Sequence, residues 1–271
     1  MKIFKSKHKL QKEILNIKNI SFVPTMGGLH KGHISLIKKS KNFNGKTLVS
    51  IFVNPKQFNK KQDFLKYPRN LTKDLILLKR LKVDYIYLPS LKDIFSFKVK
   101  NKIYLDKFSK KLCGKSRKGH FKGVLNIVNR FLDLIKPKYI FLGVKDFQQS
   151  YLITKHILKR KINTKVINCK TIREKNGVAC STRNKNLSKH QFKVASKVIK
   201  YLKNKKRLAK KRFLNFKLVN IKSDLKNLGV SKIDYIELLN SKTLIKTKSN
   251  KENFKIFIAF YLNKIRLIDN I

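Results

Sequence analysis

Short apolar runs alternate with amphipathic stretches over about the first 170 residues of the chain. A short apolar run bounded by turn residues is typical of a buried strand, whereas apolar residues spaced by three or four positions are typical of one face of a helix. The alternation of the two indicates βαβ units, in which helices connect parallel strands. The pattern therefore predicts an α/β fold with a mostly parallel sheet and helices on both faces.

The individual elements follow from the positions of these runs. The predicted strands are residues 20–24, 48–53, 84–88, 103–105 and 139–142. The predicted helices are residues 34–41, 71–81 and 124–135, followed by a helix that continues to about Lys159. Pro137 ends the third helix because proline cannot continue it. Asp146 and Gln149 have the spacing of a capping box, which would open the fourth.

The pattern changes beyond Thr171, where we place a domain boundary. Residues 171–182 are predicted to form a hairpin, since Asn176-Gly177 is a strong turn signal. Ser188 and Gln191 form a second capping box, which opens a helix through Leu202. Residues 203–212 are predicted to be a basic connection, and Gly229 to cap a further helix. Strands at 234–238, 255–261 and 265–268 complete a smaller α+β unit.

Composition narrows the class of protein. Lysine interrupts every apolar run, so no segment reaches the roughly 18 apolar residues that a membrane span needs. The N-terminal segment lacks the apolar stretch of a signal peptide, and we expect a cytoplasmic protein with no membrane partner. The three cysteines, Cys113, Cys169 and Cys180, have no Cys-x-x-Cys spacing. Free thiols are expected, rather than a disulfide framework or a structural zinc site.

The charge raises the question of a nucleic-acid partner. Lysine and arginine number 67 against 14 aspartates and glutamates, which gives a formal net charge of +53. Such a charge is typical of proteins that bind nucleic acids. Here, however, lysine is spread through every predicted element instead of being concentrated in a tail or a recognition helix. We therefore expect no specific nucleic-acid partner, although the charge will attract polyanions.

The sequence PTMGGLHKGH, residues 24–33, directly follows a predicted strand. Ligands of open parallel sheets bind beyond the carboxyl ends of the strands. Glycines let backbone amides approach a phosphate, and a helix N-terminus adds partial positive charge. His30 and His33 could then donate to a phosphate as its charge develops. An isolated pair of this kind would be solvated residues at a helix start, but its position after a strand favours phosphate binding. A metal site is disfavoured because no cysteine or acidic residue lies nearby in sequence.

Two further polar clusters also follow predicted strands. Asn54 and Gln57 supply amide groups after the second strand, where an ordinary turn is the alternative interpretation. Tyr67, Arg69 and Asp74 lie downstream. In the second cluster, GVKDFQQ at 143–149, Lys145 could hold a phosphate as a point charge and Asp146 could accept a ribose hydroxyl. The alternative for Asp146 is the capping box with Gln149.

Two more clusters lie in predicted loops. Arg117 and His120 flank Gly119 in a segment that ends at Gly123. Ser181, Thr182 and Arg183 offer hydroxyls and a guanidinium that suit a triphosphate. For this last cluster, a turn before a capped helix is the alternative.

Taken together, these segments resemble the pantoate-β-alanine ligases, also called pantothenate synthetases, of the nucleotidylyltransferase superfamily. The resemblance rests on an ordered series: PTMGGLHKGH, VSIFVNPKQF, YPRN with Asp74, GHFKGV, GVKDFQQ and REKNGVACSTRN. Residues 234–238 and 266–270 also resemble the C-terminal domain of that family. The resemblance therefore covers nearly the whole chain.

The resemblance implies a Rossmann-like domain over residues 1–170, which binds nucleotide and pantoate, and a C-terminal lid domain over residues 171–271. The implied reaction is the ATP-dependent ligation of pantoate and β-alanine to pantothenate. Pantoyl adenylate is the implied intermediate, and AMP and pyrophosphate are released. Mg²⁺ is implied by the triphosphate. A homodimer is implied by the resemblance alone.

The resemblance also implies a role for each candidate residue. The implied catalytic residues are His30, His33 and Lys145. The implied ATP contacts are Met26, His33, Gly143, Lys145, Asp146, Ser181, Thr182 and Arg183. The implied pantoate contacts are Met26, Gln57 and Gln149, and the implied surrounding residues are Asn54, Tyr67, Arg117 and His120. No residue is implied as a metal ligand.

Two other functions remain open from the sequence. A different nucleotidylyltransferase, which transfers AMP or CMP to a phosphate, would share the first histidine cluster but would not need both Gln57 and Gln149. A nucleic-acid-binding protein is suggested only by the charge. If the affinity for duplex DNA falls steeply with salt and shows no sequence preference, the binding is only non-specific electrostatic attraction.

Overall fold

The structure is a computed structural model that describes residues 1–59, 61–211 and 218–271. The chain divides into two compact units, Met1–Thr171 and Ile172–Ile271. Each unit has its own sheet and its own apolar packing.

The first unit contains a six-stranded sheet in the order β1-β4-β3-β2-β5-β6. All of its strand pairs are parallel. The strands are β1 (Lys2–Phe4), β2 (Ile20–Thr25), β3 (Lys46–Ile51), β4 (Tyr85–Tyr87), β5 (Tyr139–Gly143) and β6 (Lys165–Cys169). The predicted parallel sheet is therefore confirmed.

Eight helices accompany this sheet among the described residues. They are α1 (Lys7–Ile14), α2 (Lys31–Lys41), α3 (Lys61–Leu65), α4 (Leu71–Arg80), α5 (Leu91–Phe95), α6 (Cys113–Ser116), α7 (His120–Ile135) and α8 (Phe147–Lys159). The helices predicted at 34–41, 71–81 and 124–135 are confirmed as α2, α4 and α7.

Both faces of the sheet are covered, as the apolar strands predict. Successive residues of a strand point to opposite faces. Phe22 accordingly packs in the core that contains Phe131 of α7, at 5.4 Å between ring centroids, whereas Val23 packs in the core that contains Ile37 of α2 and Leu78 of α4. The central strand β2 is thus enclosed on both sides.

The predicted strand at 103–105 is wrong. Its backbone is held by a buried histidine instead of a neighbouring strand, because Tyr104 N donates to His156 Nδ1 at 3.1 Å. The other ring nitrogen, Nε2, lies 2.9 Å from Asn129 Oδ1, and Asn129 Nδ2 donates to Asn101 O at 2.7 Å. Since Nδ1 accepts, Nε2 carries the proton. A neutral imidazole therefore organises this loop.

Burial of His156 gives the protein a predicted acid sensitivity. Burial, with a smaller contribution from the nearby Arg160 charge, lowers the pKa of His156 from 6.5 to about 4. In the unfolded chain, His156 is therefore protonated below about pH 6.5, whereas in the folded protein it is protonated only below about pH 4. We expect the free energy of unfolding to fall over this window, by up to about 3 kcal/mol from His156 alone.

Urea titrations of wild type and His156→Gln between pH 7 and pH 4 test this expectation. The variant should be less stable at pH 7, and its stability should fall less with pH than that of the wild type. His190→Gln is the matched control, because the side chain of His190 is exposed. Parallel pH profiles for wild type and His156→Gln would show that His156 does not set the acid limb.

The second unit combines helices with a three-stranded antiparallel sheet in the order β7-β8-β9. Its strands are β7 (Lys232–Asn240), β8 (Phe254–Leu262) and β9 (Ile265–Asn270), and its helices are α9 (Lys189–Lys211) and α10 (Leu218–Asn227). The three predicted strands are confirmed, and the α+β character with them.

Two predicted helix caps of this unit are also confirmed. Ser188 N donates to Gln191 Oε1 at 2.9 Å, and Gln191 N donates to Ser188 Oγ at 3.1 Å, which is the reciprocal capping box. Gly229 has φ +99° after α10, and Val230 N bonds back to Leu225 O at 3.1 Å. This is the left-handed termination that glycine favours.

The predicted basic connection at 203–212 is wrong as far as Lys211, since α9 continues through it. Leu202 and Ala209 are buried two helical turns apart and keep this part of α9 on the core. In these last turns of α9 only Ala209 is a buried apolar residue. Because the residues around it are mostly charged, the sequence shows no clear helical period here. Arg212 lies outside the described residues.

The predicted hairpin at 171–182 forms with a single antiparallel bridge, between Arg173 and Ala179. Glu174 N donates to Val178 O at 2.8 Å, and the turn contains Gly177 at φ +89°. No helix in the described ranges is both long and apolar enough to cross a membrane.

Candidate active site

The carboxyl ends of β2, β3 and β5 meet at one edge of the sheet, with β2 between the other two. The chain leaves β2 for β3 on one side and later returns to β5 on the other, which makes a topological switch point. The clusters at 24–33, 54–58 and 143–149 lie at or directly after these three strands. The fold therefore brings the three sequence clusters to one edge.

The loop after β2 has a shape that requires glycine. Gly27 and Gly28 have φ values of +75° and +62°, which side chains rarely adopt. Thr25 Oγ1 donates to Ser50 O at 2.8 Å and accepts from Gly27 N at 3.2 Å, so the loop begins fastened to β3.

The amides of this loop are directed to a protein carboxylate. Gly28 N donates to Asp74 Oδ2 at 2.7 Å, and Leu29 N donates to Asp74 Oδ1 at 2.8 Å. The expectation that glycine amides here face a phosphate is wrong for Gly28, whose N–H donates to Asp74. The reason is tertiary, because Asp74 belongs to α4 and reaches the loop only through packing.

The two histidines stand together at the start of α2. His30 is the N-cap of α2, and its Nδ1 accepts from Gly32 N at 3.1 Å. Nδ1 is therefore unprotonated and Nε2 carries the ring proton in the neutral form. The ring of His33 lies 4.1 Å from that of His30, centroid to centroid. Two imidazoles beside the positive end of a helix are suited to bind an anion.

Asn54 is engaged in holding the loop after β3. Its Oδ1 accepts from Lys56 N at 3.2 Å, and its Nδ2 donates to Gly123 O of α7 at 3.1 Å. A Cβ at Gly123 would lie 2.3 Å from Lys56 O, so only glycine permits this approach. Asn54 is 1% exposed, and both ends of its amide are used. It is therefore placed to position its neighbours.

Gln57 is held through its backbone by the Arg117–His120 cluster. Its carbonyl oxygen lies 2.7 Å from His120 Nδ1 and accepts from Arg117 NH2 at 3.3 Å. Arg117 NH1 lies 2.9 Å from His120 Nε2. Arginine can only donate, so Nε2 accepts and Nδ1 carries the proton. The side-chain amide of Gln57 contacts Met26 Sδ of the loop after β2.

Tyr67, another predicted residue of the surrounding site, is buried beside this loop. Its ring packs edge-to-face on Phe58, at 5.6 Å between centroids. The clusters that follow β2 and β3 are thus joined by Met26 and Gln57, while Tyr67, Arg117 and His120 lie around the second of them.

At the end of β5, Gly143 precedes a 3-10 turn, Val144–Asp146, which leads into α8. Lys145 Nζ lies 3.2 Å from Asp146 Oδ1. The capping box predicted for Asp146 and Gln149 is wrong, since the Asp146 side chain makes no cap hydrogen bond. The preceding 3-10 turn gives Asp146 φ −92° and ψ 56°, which is not the extended backbone that a capping residue adopts.

Two adjacent glutamines at the start of α8 differ in their surroundings. Gln148 is buried, accepts from Cys113 N at 3.1 Å, and donates to Phe108 O and Lys111 O at 2.7 and 2.8 Å. Gln149 is partly exposed. Gln148 is not among the predicted site residues, because nothing local in the sequence shows which of two neighbouring amides faces the core.

The remaining predicted residues, Ser181, Thr182 and Arg183, belong to the second unit. Ser181 caps a 3-10 helix, Thr182–Asn186, and its Oγ accepts from Arg183 N at 3.3 Å. Thr182 is buried in this unit, and Arg183 is partly exposed. The alternative interpretation of this segment, a turn before a capped helix, is thus part of its structure.

Comparison with known families decides what this arrangement belongs to. The model of the family described as pantoate-beta-alanine ligase matches residues 2–271. The chain belongs to this family. The resemblance seen in the sequence motifs is therefore confirmed over nearly the whole chain.

Individual relatives agree with this assignment. The pantothenate synthetase of Endomicrobium trichonymphae is 41% identical over 275 residues, which cover 100% of this chain and 97% of the relative. That of Flavobacterium psychrophilum is 39% identical, covering 94% of this chain and 92% of the relative.

Solved structures of the pantoate-β-alanine ligase family share the fold. The pantoate-β-alanine ligase of Francisella tularensis, complexed with β,γ ATP and β-alanine, has a TM-score of 0.85 at 38% identity and covers 100% of this chain and 97% of its own. The pantothenate synthetase of Thermus thermophilus has a TM-score of 0.88 at 26% identity, covering 100% of this chain and 99% of its own.

Proposed function

We propose that this protein ligates pantoate and β-alanine to form pantothenate, using ATP and releasing AMP and pyrophosphate through a pantoyl adenylate. The observation that carries the proposal is the pair of imidazoles, His30 and His33, at the N-terminus of α2 beside the end of the central strand. Membership of the ligase family supports it, as does the complex of the Francisella relative with β,γ ATP and β-alanine.

In this proposal the triphosphate lies at His30, His33 and Lys145. Their donors face charge that grows on the α-phosphate as it becomes five-coordinate, and such preorganised donors lower the barrier. Gly143 and Asp146 hold the ribose, and Met26 lies beside the nucleotide. The 3.2 Å contact between Lys145 and Asp146 supports one turn serving both phosphate and ribose.

Pantoate is held by Gln57 and Gln149, next to Met26. Its carboxylate attacks the α-phosphorus, and pyrophosphate leaves. The amine of β-alanine then attacks the acyl carbon, and AMP leaves. Asn54, Tyr67, Arg117 and His120 act around this site by fixing the loop that carries Gln57, which the hydrogen bonds to the Gln57 carbonyl support.

Mg²⁺ is proposed to enter as the complex with ATP. Within residues 1–59, 61–211 and 218–271, no group of three or more His, Cys, Asp or Glu side chains could hold a metal ion. The phosphate oxygens would therefore supply most of its ligands, and the metal would neutralise charge on the leaving pyrophosphate.

The second unit is proposed to act as a lid, with Ser181, Thr182 and Arg183 reaching the phosphates when it closes. Arg183→Ala should then raise KM for ATP and lower kcat together, because a closing segment contributes both to binding and to the assembled site. Steady-state kinetics with varied ATP measures both. Lys185→Ala, in the same 3-10 helix, is the matched control and should leave both near wild type. Unchanged kinetics in Arg183→Ala would show that Arg183 does not contact the phosphates and that this segment is only a turn.

We also propose a cytoplasmic protein with no specific nucleic-acid partner and no membrane partner. The further proposal of a homodimer rests on the family alone. Sedimentation velocity distinguishes a dimer from a monomer of 31.9 kDa.

The proposed reaction is tested by incubating the protein with ATP, pantoate, β-alanine and Mg²⁺ and measuring AMP and pantothenate. Without β-alanine, pantoate should support exchange of labelled pyrophosphate into ATP, because the adenylate forms reversibly. Exchange that proceeds equally without pantoate, or with a phosphate acceptor in its place, would identify a different nucleotidylyltransferase.

A further inference from the structure

A buried carboxylate on α4 accepts hydrogen bonds from the loop that precedes the two histidines. Asp74 is 4% exposed, and each of its oxygens accepts one backbone N–H, from Gly28 at 2.7 Å and from Leu29 at 2.8 Å. Charge-assisted hydrogen bonds of this length are among the strong ones in proteins. The contact joins residues 45 and 46 positions apart, so it connects two separate elements of the sheet edge.

We infer that Asp74 is a positioning residue for adenylation: its carboxylate sets the path of the loop after β2 and thereby the places of His30 and His33. The inference rests on the proposed function and goes beyond it by assigning a role to a group that lies under the loop. Asp74 acts through the backbone, since its bonds reach the amides of Gly28 and Leu29.

The loop is built closely around this carboxylate. A Cβ at Gly27 would lie 2.9 Å from Asp74 Oδ2 and 3.1 Å from Ile51 Cγ2, and Gly27 has φ +75°. A side chain at this position would therefore push the loop away from the carboxylate. The absence of a side chain at Gly27 leaves room for the Asp74 carboxylate, and the carboxylate then holds the loop by its two hydrogen bonds.

The hydrogen-bonding pattern requires an acceptor at both tips of residue 74. An ionised aspartate accepts at both oxygens, whereas asparagine accepts at one end and donates at the other. Asp74→Asn would thus set an NH₂ group against a backbone N–H and release one side of the loop. Asp74 also lies in the first turn of α4, where the helix dipole favours negative charge.

The two anchored amides immediately precede the catalytic pair. His30 follows Leu29 directly and caps α2, with its own Nδ1 fixed by Gly32 N at 3.1 Å. The loop is held by Asp74 before His30 and by the helix cap after it. A shift of about 1 Å in reacting groups can cost on the order of 100-fold in rate. Loosening one anchor should therefore reduce catalysis while the histidines remain present.

A matched control exists on the same unit. Asp93 also accepts a backbone amide with both oxygens, from Lys7 N at 3.1 Å each, and accepts from Tyr87 OH at 2.6 Å. It anchors the start of α1 instead of the histidine loop. Asp93→Asn therefore measures what losing a structural carboxylate costs in general.

The experiment compares wild type, Asp74→Asn and Asp93→Asn by pantoate-dependent pyrophosphate exchange, at a temperature where all three are folded. We expect kcat to fall about 10- to 100-fold in Asp74→Asn. KM for ATP and for pantoate should change much less than kcat. Asp93→Asn should lower the melting temperature but keep kcat within about twofold of wild type. A wild-type kcat in Asp74→Asn, or an equal loss in Asp93→Asn, would overturn the positioning role.

A second variant and an NMR measurement also test the role of Asp74. If Asp74→Asn does not fold, Gly27→Ala disturbs the same contact from the loop side and should show the same loss of kcat. The imidazole ¹H–¹⁵N signals of His30 and His33 should shift in Asp74→Asn and not in Asp93→Asn, and unshifted signals contradict the inference without any assay of activity. A wild type without pantoate-dependent exchange would instead refute the proposed function and leave this spectroscopic test in force.

Discussion

Pyrophosphate exchange is expected to fall about 100- to 1,000-fold in His33→Ala, mainly through kcat, because a preorganised donor to developing charge is typically worth that much. The ring of His33 lies 4.1 Å from that of His30 at the start of α2, where both can face one phosphate. Exchange is measured with saturating ATP and pantoate. Ser35→Ala, in the same helix, is the control, since the Ser35 hydroxyl donates to Gly32 O within that helix.

His30 needs a different substitution because it has two tasks. Its Nδ1 caps α2, and losing a cap costs about 1 kcal/mol of stability. Serine is a good N-cap residue, so His30→Ser removes the imidazole while an acceptor for Gly32 N remains. We expect His30→Ser to lose activity as severely as His33→Ala while staying near wild-type stability. Wild-type exchange in either variant would show that its imidazole does not stabilise the phosphate.

The second large effect concerns the hydroxyl groups of pantoate. An amide side chain both donates and accepts, so Gln57 and Gln149 can pair with hydroxyls. Sites built to pair with a hydroxyl reject an analogue that lacks it by roughly 10,000-fold or more, whereas a methylene is worth only about 1 to 3 kcal/mol. We therefore expect the wild type to use a pantoate analogue without one hydroxyl very poorly, as judged by kcat/KM.

In Gln57→Ala and Gln149→Ala, kcat/KM for pantoate divided by kcat/KM for the analogue should decrease. Most of the decrease should come from loss of activity on pantoate. Truncation at Gln57 leaves its backbone anchored, because Arg117 and His120 bond its carbonyl oxygen. Gln148→Ala is the matched control, since its amide holds residues 108, 111 and 113 instead. It should lower stability and keep the ratio. An undiminished ratio in both glutamine variants would show that they do not recognise the hydroxyls.

Several elements of the first unit escape the hydrophobic pattern or contradict it, each for a physical reason. The strands β1 and β6, which the pattern missed, are the two edges of the first sheet, where polar and partly exposed residues weaken the apolar signal. The helix α1 was missed because only Leu10 and Ile14 of it are buried. The false strand at 103–105 was apolar enough to be a strand, but its backbone is bonded by His156.

The sequence by itself determined the elements with a clear period, the caps at Ser188 and Gly229, and the family. It also placed the histidine, Gln57 and Lys145 clusters after strands whose ends meet. The periodic elements and the two caps depend on contacts within a few residues, which the local pattern records. The tertiary structure alone decided which polar groups are already engaged: Asn54 with Gly123, Gln148 with the segment before α7, and Asp74 with the amides before His30. Those partners lie 35 to 69 positions apart, so packing brings them together and no local pattern encodes it.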